Sequence, residues 1–228
     1  MSNPPPGART SPATARNRGP ILEVLKPRLP AIGVVLEIAA GAGEHAIHCA
    51  AALPQLQWLP TDADPDALAS IAAWRRHAGQ PNLLAPLRLD AADPETWPLD
   101  GVDAMVNINM IHISPWRAAQ GLMAGAGCLL PAGGGLFLYG PFFETDIEAA
   151  PSNVAFDLSL KSRDPAWGVR RLDDVTALAS RHGLKLSERI AMPANNLTLV
   201  FRKVVAGSRP GALSSAPASR SRGGEEDR

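Results

Sequence analysis

The chain has 228 residues, 46% of them apolar, which is enough to bury one substantial core and makes a single domain the default. Lys plus Arg and Asp plus Glu balance at 22 each. There is therefore no basic footprint for nucleic acid or for an anionic membrane surface, and a small-molecule partner is favoured.

Residues 1–14, with Pro4-Pro5-Pro6-Gly7 and scattered Ser and Thr, read as disordered, and the Ser/Gly/Arg-rich stretch 205–228 reads as a low-complexity tail. The N-terminus lacks the apolar stretch of a signal peptide. Residues 1–18 carry arginines and no acids, as transit peptides do, but their prolines oppose an amphipathic helix. Apolar runs elsewhere stop short of the ~18 residues that a membrane helix needs. A cytoplasmic protein with a folded domain over 15–204 is expected. Cys49 and Cys128 sit in apolar segments and read as buried core residues rather than a disulfide or metal site.

Within the domain, Pro20 opens a first helix that carries Ile21, Leu22 and Leu25 on one face and closes at Pro27 and Pro30. The apolar run 33–39 predicts strand one, and 44–53 a helix. Leu56 to Asp62 is strand two, and Leu68, Ile71 and Trp74 mark a helix over 65–77. Strand three spans Leu83 to Leu89, strand four Val102 to Asn109, a helix 115–129, and strand five Leu136 to Tyr139. Residues 141–170 lose the pattern except for a helical stretch at 153–160, and read as a lid over the ligand side. A helix at 172–181 is capped by Gly183, and strands 184–191 and 197–203 form a closing hairpin. The order predicts an α/β, doubly wound, Rossmann-like sheet of seven strands. It is mostly parallel with an antiparallel last strand, and has helices on both faces.

Gly41-Ala42-Gly43-Glu44-His45-Ala46 fits G-x-G-x-x-G/A between a strand and a helix. Glycines there let a ligand lie against backbone amides, at the partly positive end of the helix. Asp62, about 20 residues on, ends strand two, where it can accept from ribose hydroxyls. Asp64 competes, or caps the next helix. Asp90 ends strand three and faces an adenine amino group or serves as a turn residue. Glu37, mid-strand among apolar residues, requires a partner: a cationic amine on the ligand, or Arg16 or Arg18. Asn107 and Asn109 share a face by the period of two, and His112 and Trp116 then overhang the crevice at the end of strand four. His112 is either structural or a general base.

With these residues assembled, the chain resembles a class I S-adenosylmethionine-dependent methyltransferase and is similar to the methyltransferase-like protein 26 family. The resemblance covers residues 13–203. It rests on Ala15-Arg16-Asn17 with Pro20-Ile21-Leu22, on Leu36 through Ala46, and on Asn109 through Trp116. Leu138 through Phe142, Pro151-Ser152-Asn153, Phe156-Asp157, Trp167 through Arg170, and Met192 through Asn196 add to it. The family more often has Ser or Thr at 40 and 42, Gln at 44, and Asp where Arg171 stands; the last departure removes a carboxylate beside Arg170.

The resemblance implies S-adenosyl-L-methionine as cofactor, with no metal. Glu37, Gly41 and Gly43 then face its methionine part, Asp62 its ribose and Asp90 its adenine, with Arg16, Asn17, His45, Ala91 and Asn109 completing the site. His112 is the expected base for a small-molecule methyl acceptor held by Ile111, Trp116, Tyr139, Asn153 and Trp167. Two rivals stand beside this reading: a non-catalytic protein that binds the same cofactor, and a nicotinamide-dependent oxidoreductase. The second is weakened because the only tyrosine, Tyr139, does not start a Tyr-x-x-x-Lys pair.

Overall fold

The computed structural model describes residues 4–204. The tail expected at 205–228 lies outside the described residues. The chain runs through α1 (Pro12–Leu25), β1 (Gly33–Ile38), α2 (Glu44–Ala52), β2 (Leu56–Asp62), α3 (Pro65–Ala78), β3 (Leu87–Arg88) and β4 (Ala104–Ile108). It continues through α4 (Trp116–Leu129), β5 (Gly135–Gly140), β6 (Phe142–Phe143), α5 (Pro151–Arg163), β7 (Arg170–Arg171) and α6 (Leu172–Arg181), and closes with β8 (Leu184–Met192) and β9 (Asn196–Lys203).

Seven strands form one sheet in the order β3-β2-β1-β4-β5-β9-β8. All neighbouring pairs are parallel except those of β9, which runs antiparallel to both β5 and β8. This is the doubly wound, mostly parallel, Rossmann-like sheet expected of the sequence. A bulge between Leu186 and Glu188 shifts the register of the closing hairpin.

The period of two sorts side chains between two cores. Val35, Ala104, Val106, Phe137 and Val200 face α1 and α2, where Ile21, Leu25, Ala46 and Cys49 meet them. Leu36, Met105, Leu136, Leu138 and Phe201 face α4 and α6, against Leu122, Met123, Val175 and Leu178. Trp58, Phe137 and Phe201 are among the largest fully buried side chains. Each stabilises the fold by ~1.5–3 kcal/mol through apolar area removed from water.

Three expectations shift. First, α1 starts at Pro12, so Pro12 takes the first-turn position and Pro20 falls inside the helix. Lacking an N–H, Pro20 leaves the Arg16 carbonyl without its helical donor. Ahead of α1, Arg9 is tied to α3. Its N–H donates to Ser70 Oγ at 2.8 Å, its carbonyl accepts from Trp74 Nε1 at 3.0 Å, and its guanidinium pairs with Asp64 and Asp66.

Second, β3 is reduced to two residues, with Leu83 joined to Trp58 only by an isolated bridge. Third, Cys128 is exposed while Cys49 is buried, and both are free thiols. Among the described residues, no helix is long and apolar enough to cross a membrane.

Residues 141–170 hold more structure than the pattern promised. β6 and β7 pair as a small parallel ribbon, and α5 spans 13 residues. α5 buries Asn153 and Asp157 together with Leu160 while Val154 and Leu158 stay exposed. Its buried face is thus largely polar, which hides the helix from a search for apolar periodicity.

Candidate functional site

The turn after β1 is built from left-handed residues: Ala39 at φ 56°, Gly41 at 57° and Gly43 at 89°. The two glycines serve different ends. A Cβ on Gly43 would meet the Ile71 backbone Cα at 3.0 Å, so α3 packs directly on that position. A Cβ on Gly41 would meet nothing within 4 Å, so the space above Gly41 is open. Gly43 then caps α2, whose free N-terminal amides point the same way.

Asp62 closes the far side of the turn. Its Oδ2 accepts the Gly41 N–H at 2.9 Å, and its Oδ1 accepts the Asp64 N–H at 3.0 Å. Asp64 is spent as the cap of α3, accepting the Asp66 N–H at 3.0 Å, and in the ion pair with Arg9. Of the two aspartates, Asp62 is the one that bonds the glycine turn, and Asp64 bonds α3 and Arg9. Asp90, exposed at the next strand end, accepts the Ala92 N–H at 2.8 Å in a turn beside buried Ala91.

Glu37 lies under the turn with 1% of its surface exposed. Its protein partner is the Trp58 indole, whose Nε1 donates to Oε2 at 2.6 Å. Neither Arg16 nor Arg18 reaches it with a hydrogen bond. Desolvation raises the Glu37 pKa to about 7; the Trp58 bond opposes the rise and the Asp62 charge adds to it. Sequence reasoning found Glu37 and missed Trp58, although a tryptophan on the adjacent strand is the kind of neutral donor a buried carboxyl requires.

At the ends of β4 and β5 a cavity of about 540 Å³ opens, lined by residues including Arg16, Asn17, Asn109, Tyr139, Asn153 and Phe156. It joins the turn through α1: His45 Nε2 lies 2.9 Å from Asn17 Oδ1, and Asn17 and Tyr139 both line the cavity. Burial pushes the Tyr139 pKa up and the His45 pKa down to about 4, so both stay uncharged near neutrality. Asn109 is left-handed at φ 64°. That conformation ends the strand alternation, so Asn109 reaches the cavity while Asn107 stays buried with its Nδ2 on the Ile38 carbonyl. The two asparagines do not share a face as the period of two implied.

Other expected residues lie elsewhere. His112 does not overhang the cleft; it is fully buried, its Nδ1 takes the Arg170 N–H at 3.3 Å, and its ring stands edge-on to Phe142. A Cβ on Gly140 would collide with that ring, so the bare backbone of β5 closes over it. Desolvation lowers the His112 pKa to about 3. Ile111 is core on the α4/α6 side. Trp116 lies under the Arg170 guanidinium on the rim of a different cavity, and Trp167 lies under Arg163. The acceptor pocket expected of Ile111, Trp116 and Trp167 is therefore not assembled, whereas Tyr139 and Asn153 do come together. Arg170 needs no carboxylate, because it donates to the carbonyls of Ile111, Ser114 and Ala166.

The cavity also takes in Ser152, Phe156 and Asn196, which sequence reasoning did not assign. The left-handed Ala194 and Asn195 bend the β8–β9 connection toward α5, where the Asn195 carbonyl accepts from Asn153 Nδ2 at 2.9 Å.

A family model described as "Protein of unknown function (DUF938)" matches residues 8–203. The chain belongs to this DUF938 family. Its fold is shared with solved methyltransferases. An O-methyltransferase family protein from Burkholderia thailandensis is similar at TM-score 0.72 and 15% identity, covering 85% of this chain and 58% of that one. An O-methyltransferase family 2 protein from Planctomyces limnophilus, in complex with apigenin, gives 0.69 and 20%, covering 84% and 60%. Human N-acetylserotonin methyltransferase, in complex with SAM, gives 0.70 and 15%, covering 85% and 53%. This DUF938 chain spans little more than half the length of those structures.

Proposed function

We propose that this DUF938 protein is a class I S-adenosyl-L-methionine-dependent methyltransferase acting on a small molecule, akin to the methyltransferase-like protein 26 family. One observation carries the reading. A buried carboxyl whose protein partner is a neutral indole lies beneath an open glycine turn, flanked by a strand-end aspartate, next to a cavity at the C-terminal ends of the parallel strands.

The residues present fit the cofactor. Glu37 supplies negative charge for its cationic centre, and Gly41 leaves room for it to approach the backbone. Asp62 offers carboxylate oxygens to the ribose, Asp90 and Ala91 meet the adenine, and Asn17, His45 and Asn109 frame the methionine end. Bound there, S-adenosylmethionine supplies an activated methyl group on a sulfonium leaving group. The protein's part is to orient the acceptor in line, exclude water and hold charge: Tyr139 and Asn153 shape the acceptor cavity, and α5 with the β8–β9 connection roofs it. His112 acts in this proposal as a positioning residue for the 109–114 and 168–170 segments.

Calorimetric titration tests the reading. S-adenosylmethionine and S-adenosylhomocysteine should bind with 1:1 stoichiometry, while NAD and NADP should not. Glu37→Gln should weaken both adenosyl ligands by roughly tenfold or more, the scale of a lost charged contact. Tight binding without methyl transfer to any fraction of a metabolite extract would favour a non-catalytic cofactor-binding protein instead.

A further inference from the structure

The charges of the two halves of the site are segregated. Glu37, Asp62 and Asp90 all lie on the cofactor side. The cavity beside them carries one formally charged side chain, Arg16, which is exposed and makes no hydrogen bond or ion pair among the described residues. The side chains of α5 and of the β8–β9 connection that line the cavity bear no titratable group, and Tyr139 is the titratable residue that β5 contributes. Burial pushes that hydroxyl up, so it donates rather than takes a proton. The two nearby imidazoles are not bases for this space: His45 is held by Asn17, and His112 is enclosed.

Asn153 and Asn196 spend their Nδ2 donors on carbonyls of the connection. Arg16 is the charged donor left for a ligand, with the Tyr139 and Ser152 hydroxyls and the Asn17 and Asn109 amides as neutral polar groups beside it. Pro20, Pro141 and Phe156 give the same space apolar walls.

Resting on the methyltransferase reading, we infer that the acceptor is an organic anion with an apolar body, foremost a carboxylate, held by Arg16 and methylated on its anionic atom. Arg16, which the resemblance implied for the cofactor, is thereby assigned to the acceptor. Such an acceptor needs no base from the protein. Its carboxylate oxygen forms the new bond to the methyl carbon, and the carbon–sulfur bond breaks with its electron pair on sulfur. A methyl ester and a neutral thioether result, and no proton is released. A neutral alcohol would have to shed a proton in a cavity whose lining contains no carboxylate or imidazole to take it.

The test uses the full chain loaded with S-adenosylhomocysteine, titrated calorimetrically with benzoates and cinnamates and with their carboxamides. The acids should bind at least tenfold tighter than the amides. Arg16→Ala should erase that preference with a roughly tenfold to hundredfold loss for the acids, as for a hydrogen bond to a charged group. Arg16→Lys should keep part of it, and S-adenosylhomocysteine affinity should stay within about twofold in both variants. With labelled S-adenosylmethionine, the product of an accepted acid should be a base-labile ester.

Equal binding of acids and amides, or no binding of the acids, overturns the inference. So does an equal loss of S-adenosylhomocysteine affinity in Arg16→Ala, which would assign Arg16 to the carboxylate of the cofactor. Failure of the wild-type protein to bind S-adenosylhomocysteine at all overturns the methyltransferase reading, and the acceptor class with it.

Discussion

Trp58 Nε1 donates to Glu37 Oε2 at 2.6 Å across the β1–β2 pair, where Glu37 lies opposite Pro60 in the register and Trp58 opposite Val35. The carboxyl is therefore reached diagonally, by a long side chain from the same face. The bond is neutral on the donor side, so it orients Glu37 without cancelling its charge. Trp58→Phe keeps most of the buried ring and removes that donor. It should cost ~1–3 kcal/mol of stability in chemical denaturation, and push the Glu37 pKa further up. Cofactor affinity at pH 7 should fall with it; an unchanged affinity would mean that the indole only fills space.

Stability should depend on pH with two opposed limbs. Glu37 has a folded pKa of about 7 against an ordinary value of 4.5, so its contribution is fully present below the unfolded value and lost as pH rises through 7. His45 and His112 have folded values of about 4 and about 3 against 6.5, so their contributions are present above 6.5 and lost as pH falls toward those values. Two histidines outweigh one carboxyl where the windows overlap, so stability should rise with pH to about 6.5 and then dip. Glu37→Gln should remove the dip and leave the ligand-free protein more stable than wild type at pH 8, by up to ~3 kcal/mol. Denaturant melts at pH 5, 6.5 and 8 measure this.

The two turn glycines should separate structure from ligand approach. Gly43→Ala must hold a left-handed alanine and displace the Ile71 backbone, so it should destabilise by several times the ~1 kcal/mol of left-handed strain alone. Gly41→Ala meets no neighbour and should cost only about that strain, yet put a methyl group into the space above the turn. The expected result is a near-normal melt with weakened S-adenosylhomocysteine binding for Gly41→Ala, and a large loss of stability for Gly43→Ala.

The fold was legible because each β-run and its following helix carried its own period, and the strand-end acids could be placed by counting from Gly41. The placement of a residue was legible where backbone geometry dictates it, as at the left-handed Gly43 and at Asp62, which accepts the Gly41 N–H. It was not legible where a side chain's fate depends on distant partners. His112 looked like an overhanging loop residue because nothing local shows that Arg170, 58 positions on, will close over it. Asn109 escaped the alternation rule through one left-handed residue. α5 hid because it buries amide and carboxylate groups that are satisfied by the Asn195 carbonyl, Lys161 and the Val169 N–H.

Asn17 should prove to be the joint between the glycine turn and the cavity at the ends of β4 and β5. Asn17→Ala strands the buried His45 Nε2 and takes away a polar amide that opposes the upward push of burial on the Tyr139 hydroxyl. A loss of ~1–3 kcal/mol is expected, the cost of an unpaired buried group. Because Tyr139 is the only tyrosine, absorbance at alkaline pH reads it alone, and its titration should move further up in the variant. A titration that does not move would show that Asn17 contributes packing only.

His112 provides the clearest decision between base and scaffold. Its Nδ1 accepts from Arg170, which leaves the proton on Nε2, a buried donor without a partner. Phenylalanine keeps the ring against Phe142, gives up a long 3.3 Å bond and also deletes the unsatisfied N–H. These effects oppose each other, so His112→Phe should melt within about 1 kcal/mol of wild type. Alanine instead leaves a void in the core and should cost ~3 kcal/mol. If His112 is scaffold, the Phe variant should keep turnover within severalfold and show the same pH–rate profile as wild type. A fall of about a hundredfold or more, with loss of an acid limb near neutrality, is the signature of a general base and would return His112 to the chemistry.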